Sequence, residues 1–526
     1  MDLKKIDPGC IVLAELYTRC LDAGLIPTQW KESTTVLTYK DGIRQDPKNW
    51  RPLALGNCVS KLYSAILADR ITNWAKKSHR LSKEQKGFLN DEGCLQHNFL
   101  LQTAIDDCRR SNKQLWVAWL DLSNPFGSVT HTHIFDVLRE MDLPASMIKA
   151  VQNMYDGANT RIMTPEGPTD PIQIERGVRQ GCPLSPILFN LAIEPLLRAI
   201  HVSRKTTGYK LAKGPYVQLL AYTDDICILT KDEHWMQSVL DATDVAANWC
   251  GLKFKPAKCA TLHVDCRSGR RTMDTEFNIQ DGSPKILQEG DAYKHLGVPT
   301  GFRVDQTPTI TIQNIEYDIE KINRSLLAPW QKMDTIKTFI MPRLDFIARG
   351  GYITKTSLTN TDKLLKKHCK EWMNLPKRAS AEMVYLAPAQ GGAGILPTKD
   401  TTNVAAIIQA YRMIAAKDPF VSQVALVTLA QVVRRKIGMM PSEDDVCSFL
   451  NGEKEGLFQR QSGDIRSLWT RARTSTTELA KVNKMKWQWN STRKEYEIVI
   501  PTPRDHHGES PPNGRQSHLW CTKTVT

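Results

Sequence analysis

Asp224 and Asp225 stand side by side in Ala221-Tyr222-Thr223-Asp224-Asp225-Ile226-Cys227-Ile228-Leu229, two acids inside an otherwise apolar run. The flanking residues are β-branched and aromatic enough to read as strands, which predicts a hairpin with Asp224-Asp225 at its tip. Like charges about 4 Å apart repel by roughly 1–4 kcal/mol, depending on the local dielectric. A bound cation offsets that repulsion, and so does exposure at a turn, so an ordinary acidic hairpin tip is the competing reading. A third acid, Asp121, follows the apolar run Leu115-Trp116-Val117-Ala118-Trp119-Leu120 about a hundred residues upstream. An Asp at the end of such a strand points to the place where a neighbouring hairpin tip would lie. Three carboxylates can hold two divalent ions about 3.5–4 Å apart. Mg²⁺ favours a few carboxylates plus substrate phosphates over an all-protein cage. The pattern therefore points to metal-assisted phosphoryl transfer.

The elements that must position these acids are legible around them. Ile11 to Leu25 has helical spacing with Gly24 as a stop, Thr34 to Lys40 reads as a strand before an Asp41-Gly42 turn, and Lys61 to Trp74 as a helix. A further helix runs to Arg110, where His97 reads as a packing residue. Met141 to Tyr155 is amphipathic. Arg161-Ile162-Met163 and Ile172-Gln173-Ile174 alternate as a hairpin does, and Ile187 to Ile200 and Val239 to Cys250 read as helices. From Ile312 to Gly350 and over 401–450 the chain is expected to be largely helical. Residues 355–378 hold seven Lys/Arg against two acids, with Trp372 among them, a mix suited to tracking phosphates. Lys481 to Trp489 is basic and aromatic, again suited to nucleic-acid contact. Gln390 to Ile395 reads as a flexible glycine connector, and 501–526 as a disordered tail.

Bulk composition agrees with a polyanionic partner. Seventy Lys/Arg against 56 Asp/Glu leave a net charge of +14. Thirteen cysteines are scattered with no C-x-x-C pair, which argues against a disulfide framework and the usual zinc spacing. Cys259, His263 and Cys266 with Cys250 match no common zinc pattern and read as structural thiols. No run of 18 apolar residues suggests a membrane span, and the N-terminus lacks the apolar core of a signal peptide.

Asp121 with Phe126 five residues on, Arg179-Gln180-Gly181-Cys182-Pro183-Leu184-Ser185-Pro186, Tyr222-Thr223-Asp224-Asp225 and Tyr293-Lys294-His295-Leu296-Gly297 occur in the order of reverse-transcriptase motifs. From about Pro27 to Gly394 the chain resembles the reverse transcriptase of a non-LTR retrotransposon, most similar to the type-two, site-specific elements. The resemblance implies an α+β, right-hand polymerase fold. Its expected parts are fingers (1–115), palm with an interleaved fingers segment (116–300), helical thumb (301–380) and a helical C-terminal linker region (381–500). It implies RNA-directed DNA polymerisation with two Mg²⁺ ions, Mn²⁺ being an acceptable substitute, held by Asp121, Asp224 and Asp225. It assigns Arg51 and Lys40 to the incoming triphosphate and Phe126 to a steric gate under its sugar. Gln180 and Gly181 fall to the nucleotide and template pocket, Lys258 to the pyrophosphate, and Leu296 and Gly297 to the primer grip. Gln85-Lys86-Gly87-Phe88 resembles the template-strand region.

The implied partners are template RNA, a DNA primer or target and deoxynucleoside triphosphates, in the nucleus. Pro125 and Thr223 stand where the family has smaller or different residues, and both are expected to be tolerated. The zinc fingers, Cys/His knuckle and nuclease of full-length relatives are not found. The chain is thus expected to be a polymerase core from a longer polyprotein or a degraded copy, with any nicking activity supplied elsewhere. An inactive or co-opted RNA-binding remnant and an intron-type maturase are the alternatives.

Overall fold

The computed structural model describes residues 7–40, 42–201, 207–212, 214–460 and 464–500. The expected tail at 501–526 and half of the expected Asp41-Gly42 turn lie outside them. The chain starts with α1 (Ile11–Ala23), ended by Gly24 in the left-handed region at φ 64°. It then forms an antiparallel hairpin of β1 (Glu32–Tyr39) and β2 (Trp50–Gly56), in the register Thr38↔Arg51. Helices α2 (Cys58–Lys77) and α3 (Gly93–Ser111) lead into β3 (Gln114–Leu120). Two helices follow it, His131–Glu140 and Ala145–Tyr155, the second filling most of the amphipathic stretch expected over Met141 to Tyr155, with Pro144 just before its first turn. Strand β4 (Asn159–Thr164) joins β1 in parallel and pairs antiparallel with Ile172–Gln173, as the alternation predicts. The expected helix from Ile187 is also two, Ser185–Ala192 and Glu194–His201.

Strands β5 (Leu219–Tyr222), β6 (Asp225–Thr230), β7 (Ala260–Asp265) and β8 (Arg271–Met273) complete the palm sheet around β3. Its order is β8-β7-β3-β6-β5, antiparallel at each step, with the short strand Lys285–Ile286 added in parallel to β7. Successive side chains of a strand point to opposite faces, and here both faces are buried. Trp116, Ala118 and Leu120 enter one apolar core with α1, α2 and the helices at 131–201. Leu115, Val117 and Trp119 enter a second core built largely from residues beyond 396. That is why these strands read as unbroken apolar runs and not as alternation.

A short hairpin of β9 (Tyr293–His295) and β10 (Val298–Thr300) precedes the thumb. The thumb has its own core around Ile312, Ile315, Ile319 and Leu365. Its first helix, α4, is Thr309–Arg324. The largely helical stretch expected to Gly350 stops at Arg324, resumes at Pro329–Thr335 and passes over 336–344 through a π-helical turn and a 3₁₀ turn, where Pro342 withholds a backbone donor. Helix α5 (Thr359–Trp372) carries the basic stretch. Part of that stretch is already engaged: Lys355 pairs with Glu478 at 2.5 Å, Lys370 donates to two backbone carbonyls, and the Trp372 indole donates to Asn323.

The segment expected as a helical linker forms the second layer over the palm. It contains α6 (Thr398–Ile414), α7 (Pro419–Ile437) and α8 (Leu468–Asn483), and ends in a hairpin of Lys486–Asn490 with Glu495–Val499. The expected nucleic-acid role of its aromatics is not what the structure shows. Trp487 is 2% exposed in the second core and donates to Thr476, and Trp489 packs on Tyr496. The glycine connector is a tight built turn, in which an added Cβ on Gly392 would lie 2.2 Å from the Leu386 carbonyl. Among the described residues no single helix is long and apolar enough to cross a membrane. The pair α6 and α7 reaches that length only together, bent by 115°, and its apolar residues line the second core.

Candidate active site

The palm sheet fixes the three acids by register. Ile226 lies opposite Leu120, so the next step of the ladder sets Asp225 across from Asp121. Directly opposed residues of an antiparallel pair have Cβ atoms about 4.5–5.5 Å apart, and like charges there repel. Asp225 pairs with Tyr222, so the hairpin loop proper is Thr223-Asp224 and Asp225 is the first residue of its strand, a one-residue shift from the expected tip. Asp121 is held from the other side. Its N–H donates to the Cys259 sulfur at 3.4 Å and its carbonyl accepts from Lys255 at 2.9 Å. Cys259 is thus structural, and His263 stacks on Trp116 with ring centres 4.1 Å apart.

The electrostatics match three crowded carboxylates. Burial, then the charges of Asp224 and Asp121, push the Asp225 carboxyl up to about 6. Burial and Asp121 also raise Asp224. Lys40 lowers both and Arg51 lowers Asp224, so the charges of these two fingers cations reach the acids. Among the described residues no three His, Cys, Asp or Glu side chains converge into a metal cage of their own. A cluster of repelling carboxylates short of a cage suits a hard cation that completes its shell with substrate phosphates and water.

The residues expected around the nucleotide gather from four segments. Phe126 lies on a one-turn helix, Pro125–Ser128, with Pro125 at its first position. Its ring stacks on Phe189 at 4.6 Å and meets Phe88 edge-on at 6.4 Å. The Gln180 carbonyl accepts from Ala54 N–H at 2.7 Å, tying this loop to β2. Gly181, at φ 105°, has no room for a side chain: a Cβ would lie 2.7 Å from the Ala54 carbonyl. Lys258 is exposed on the turn Pro256–Lys258 and is not among the charges that set the two hairpin acids. Leu296 and Gly297, at φ 44° and 86°, form the two-residue loop of the β9–β10 hairpin. Two positive φ angles are the mark of a turn whose twist matches its strands. Tyr293, at the base of this hairpin, stacks on Trp119 at 5.2 Å, and burial with the charges of Asp225 and Asp121 raises its phenol. The hairpin therefore abuts the carboxylates.

One positioning residue escaped the sequence reading. Gln85 is 1% exposed and grips the acidic hairpin from behind. Its Oε1 accepts from Thr223 N–H at 2.7 Å and Gly87 N–H at 2.8 Å, while its Nε2 donates to the Thr223 carbonyl at 3.3 Å. Lys86 N–H donates to Ala221 and Ala221 N–H to Glu84, so 84–86 runs along β5 like a further strand. The grip matters because Thr223 sits at φ 58°, a costly conformation for a β-branched residue. Only the motif Gln85-Lys86-Gly87-Phe88 hinted at it.

Residues 39–300 match the family of reverse transcriptases (RNA-dependent DNA polymerases). This chain belongs to the reverse transcriptases. Several of its curated relatives are Pol polyproteins of retrotransposable elements. It is 27% identical over 393 residues to the Pol polyprotein of the type-2 retrotransposable element R2DM of Drosophila melanogaster. It is 29% identical over 388 residues to that of the type-1 retrotransposable element R2 of Nasonia vitripennis. Each match covers 73% of this chain but only 36% and 37% of the relative, so the chain spans little more than a third of their length. Among solved structures it is similar to apo telomerase from Candida tropicalis, with a TM-score of 0.37 and 10% identity over 78% of this chain and 72% of that one. The reverse-transcriptase match spans every residue of the acidic site, from Lys40 to Gly297.

Proposed function

We propose that this chain extends a primer 3′-hydroxyl on an RNA template, taking up deoxynucleoside triphosphates and releasing pyrophosphate. The observation that carries this reading is Asp225 set across from Asp121 by sheet register, with Asp224 beside it in the loop and the charges of Lys40 and Arg51 acting on the hairpin acids. The three carboxylates would hold divalent ions, Mg²⁺ by preference, which supply activation of the hydroxyl and neutralisation of the leaving phosphate. The rest is the work of the protein's own groups. Arg51 and Lys40 bind the triphosphate, the guanidinium being suited to two-pronged contact with phosphate oxygens. Phe126, braced by Phe189, bars a 2′-hydroxyl. Gly181 lets the backbone approach the base pair. The Leu296-Gly297 turn sets the primer end in line with the α-phosphate, and positioning of this kind is worth several kcal/mol of barrier. No protein nucleophile is required, because phosphoryl transfer is catalysed mainly by position and charge. The resemblance to retrotransposon enzymes supports a nuclear setting.

The test is primer extension on a poly(rA) template with Mg²⁺, comparing the chain with Asp224→Asn. Synthesis by the first and none by the second is expected. RNA binding without synthesis by either would refute the polymerase reading in favour of a binding remnant.

A further inference from the structure

Behind the primer-grip hairpin lies a cavity of about 520 Å³ bounded by α3, the base of the thumb and the start of α8. Its wall carries six arginines, Arg109, Arg110, Arg303, Arg349, Arg466 and Arg471, against Asp106 and Asp305. Three of the six have carboxylate partners outside the wall: Arg110 with Asp464, Arg303 with Glu289 and Arg349 with Glu92. Two of those acids are shared with further cations, Arg435 and Arg412. Among the described residues Arg109, Arg466 and Arg471 form no ion pair.

The arginines also carry donors with nothing to donate to. Arg110 Nη2 and Arg349 Nε are fully shielded and make no hydrogen bond. Arg471 donates only to the Arg349 carbonyl, at 3.3 Å, and burial pushes its guanidinium down to about 10. Arg466 has its guanidinium carbon over the Tyr352 ring, 3.8 Å from its centre, a contact that leaves its N–H donors available. Ser467, Leu468 and Trp469, the first turn of the 16-residue helix α8, line the same wall. A helix N-terminus adds a partial positive charge and oriented N–H groups. The shielded, unpaired edges of Arg110 and Arg349 cost free energy unless an anion meets them, and converging guanidinium forks favour phosphate oxygens over a point anion.

We propose that this cavity binds a compact polyphosphate anion, held by Arg109, Arg466 and Arg471 with the free edges of Arg110 and Arg349. The site is separate from the nucleotide pocket. Asn98, on its wall, donates to the Leu296 carbonyl of the primer-grip turn, and Gly350, also on its wall, packs against Val298. An anion here would cross-link the thumb base, the palm helix α3 and the C-terminal layer. The polyphosphate is either a free anion or the phosphate-rich end of an RNA strand.

The experiment is calorimetric titration of the full chain with inorganic tripolyphosphate in EDTA, where the metal-dependent nucleotide site is silent. Saturable binding is expected, weakened at least about tenfold in Arg109→Gln/Arg466→Gln and in Arg471→Gln, but unchanged in Lys40→Ala/Arg51→Ala. Should Arg471→Gln fail to fold, the other pair carries the test, since neither of its residues is ion-paired. No binding, equal affinity in the cavity variants, loss in the Lys40/Arg51 variant, or equal binding of sulfate at matched ionic strength would overturn the proposal. Displacement of the bound tripolyphosphate by 5′-triphosphorylated RNA, and not by the 5′-hydroxyl form, upholds the site with RNA as the source. Failure of both RNAs to displace it upholds the site with a free anion as the source.

Discussion

Replacing Asp225 by Asn should stabilise the metal-free protein while abolishing synthesis. Asp225 faces Asp121 across the ladder and adjoins Asp224, and its carboxyl is pushed up from 3.8 to about 6. A shift of one unit is about 1.4 kcal/mol. At pH 7.5 the charged carboxylate therefore destabilises the fold by at most about 3 kcal/mol, less whatever water screens at its exposed edge. The sign follows from proton counting. Between pH 3.8 and 6 the folded chain holds a proton that the unfolded chain has released, so stability falls as pH rises through that window and is level above it. Asn carries no charge, so the variant lacks this fall. Urea unfolding in EDTA at pH 7.5 and pH 4.5 measures both. The variant should be more stable than the parent by about 1–3 kcal/mol at pH 7.5 and by only about a third of that at pH 4.5. Saturating Mg²⁺ should reverse the order, since a ligand at 100 times its Kd adds about 2.7 kcal/mol to the state that binds it. A variant no more stable than the parent at pH 7.5, or a difference independent of pH, would refute the crowded-carboxylate account.

Other substitutions probe the parts that position the acids. Gln85→Ala strips the acceptor from two buried N–H groups, so it should cost about 1–3 kcal/mol and lower kcat more than it raises the nucleotide KM in steady-state extension. Gly181→Ala places a Cβ against the Ala54 carbonyl at a positive φ, so the same assay should show the nucleotide KM rising at least about tenfold with a smaller change in kcat. Phe126→Val should admit ribonucleotides, read as incorporation of ribo- against deoxynucleotide at equal concentration. Asp418→Ala leaves the buried Lys86 ammonium without its partner at 2.5 Å, and urea unfolding should show a loss of about 3–5 kcal/mol.

The acids, their strands and the turn types were written in short stretches of sequence. An apolar run ending at Asp121, a doublet in Tyr222-Thr223-Asp224-Asp225 and the Leu296-Gly297 turn each depend on neighbours a few residues away, so strand pattern and turn chemistry exposed them. Helix breaks were harder: Pro342 is visible, but whether a proline kinks or ends a helix depends on what packs there. The tail misled because Trp487 and Trp489 have the composition of a nucleic-acid surface, and composition is silent about burial. What only the tertiary structure decided was long-range. Gln85 reaches Thr223 across 138 residues, Lys86 meets Asp418 across 332, and the six arginines converge from four separate segments. Such contacts carry no local periodicity. They exist because the palm sheet buries both of its faces and so draws distant helices together around one set of carboxylates.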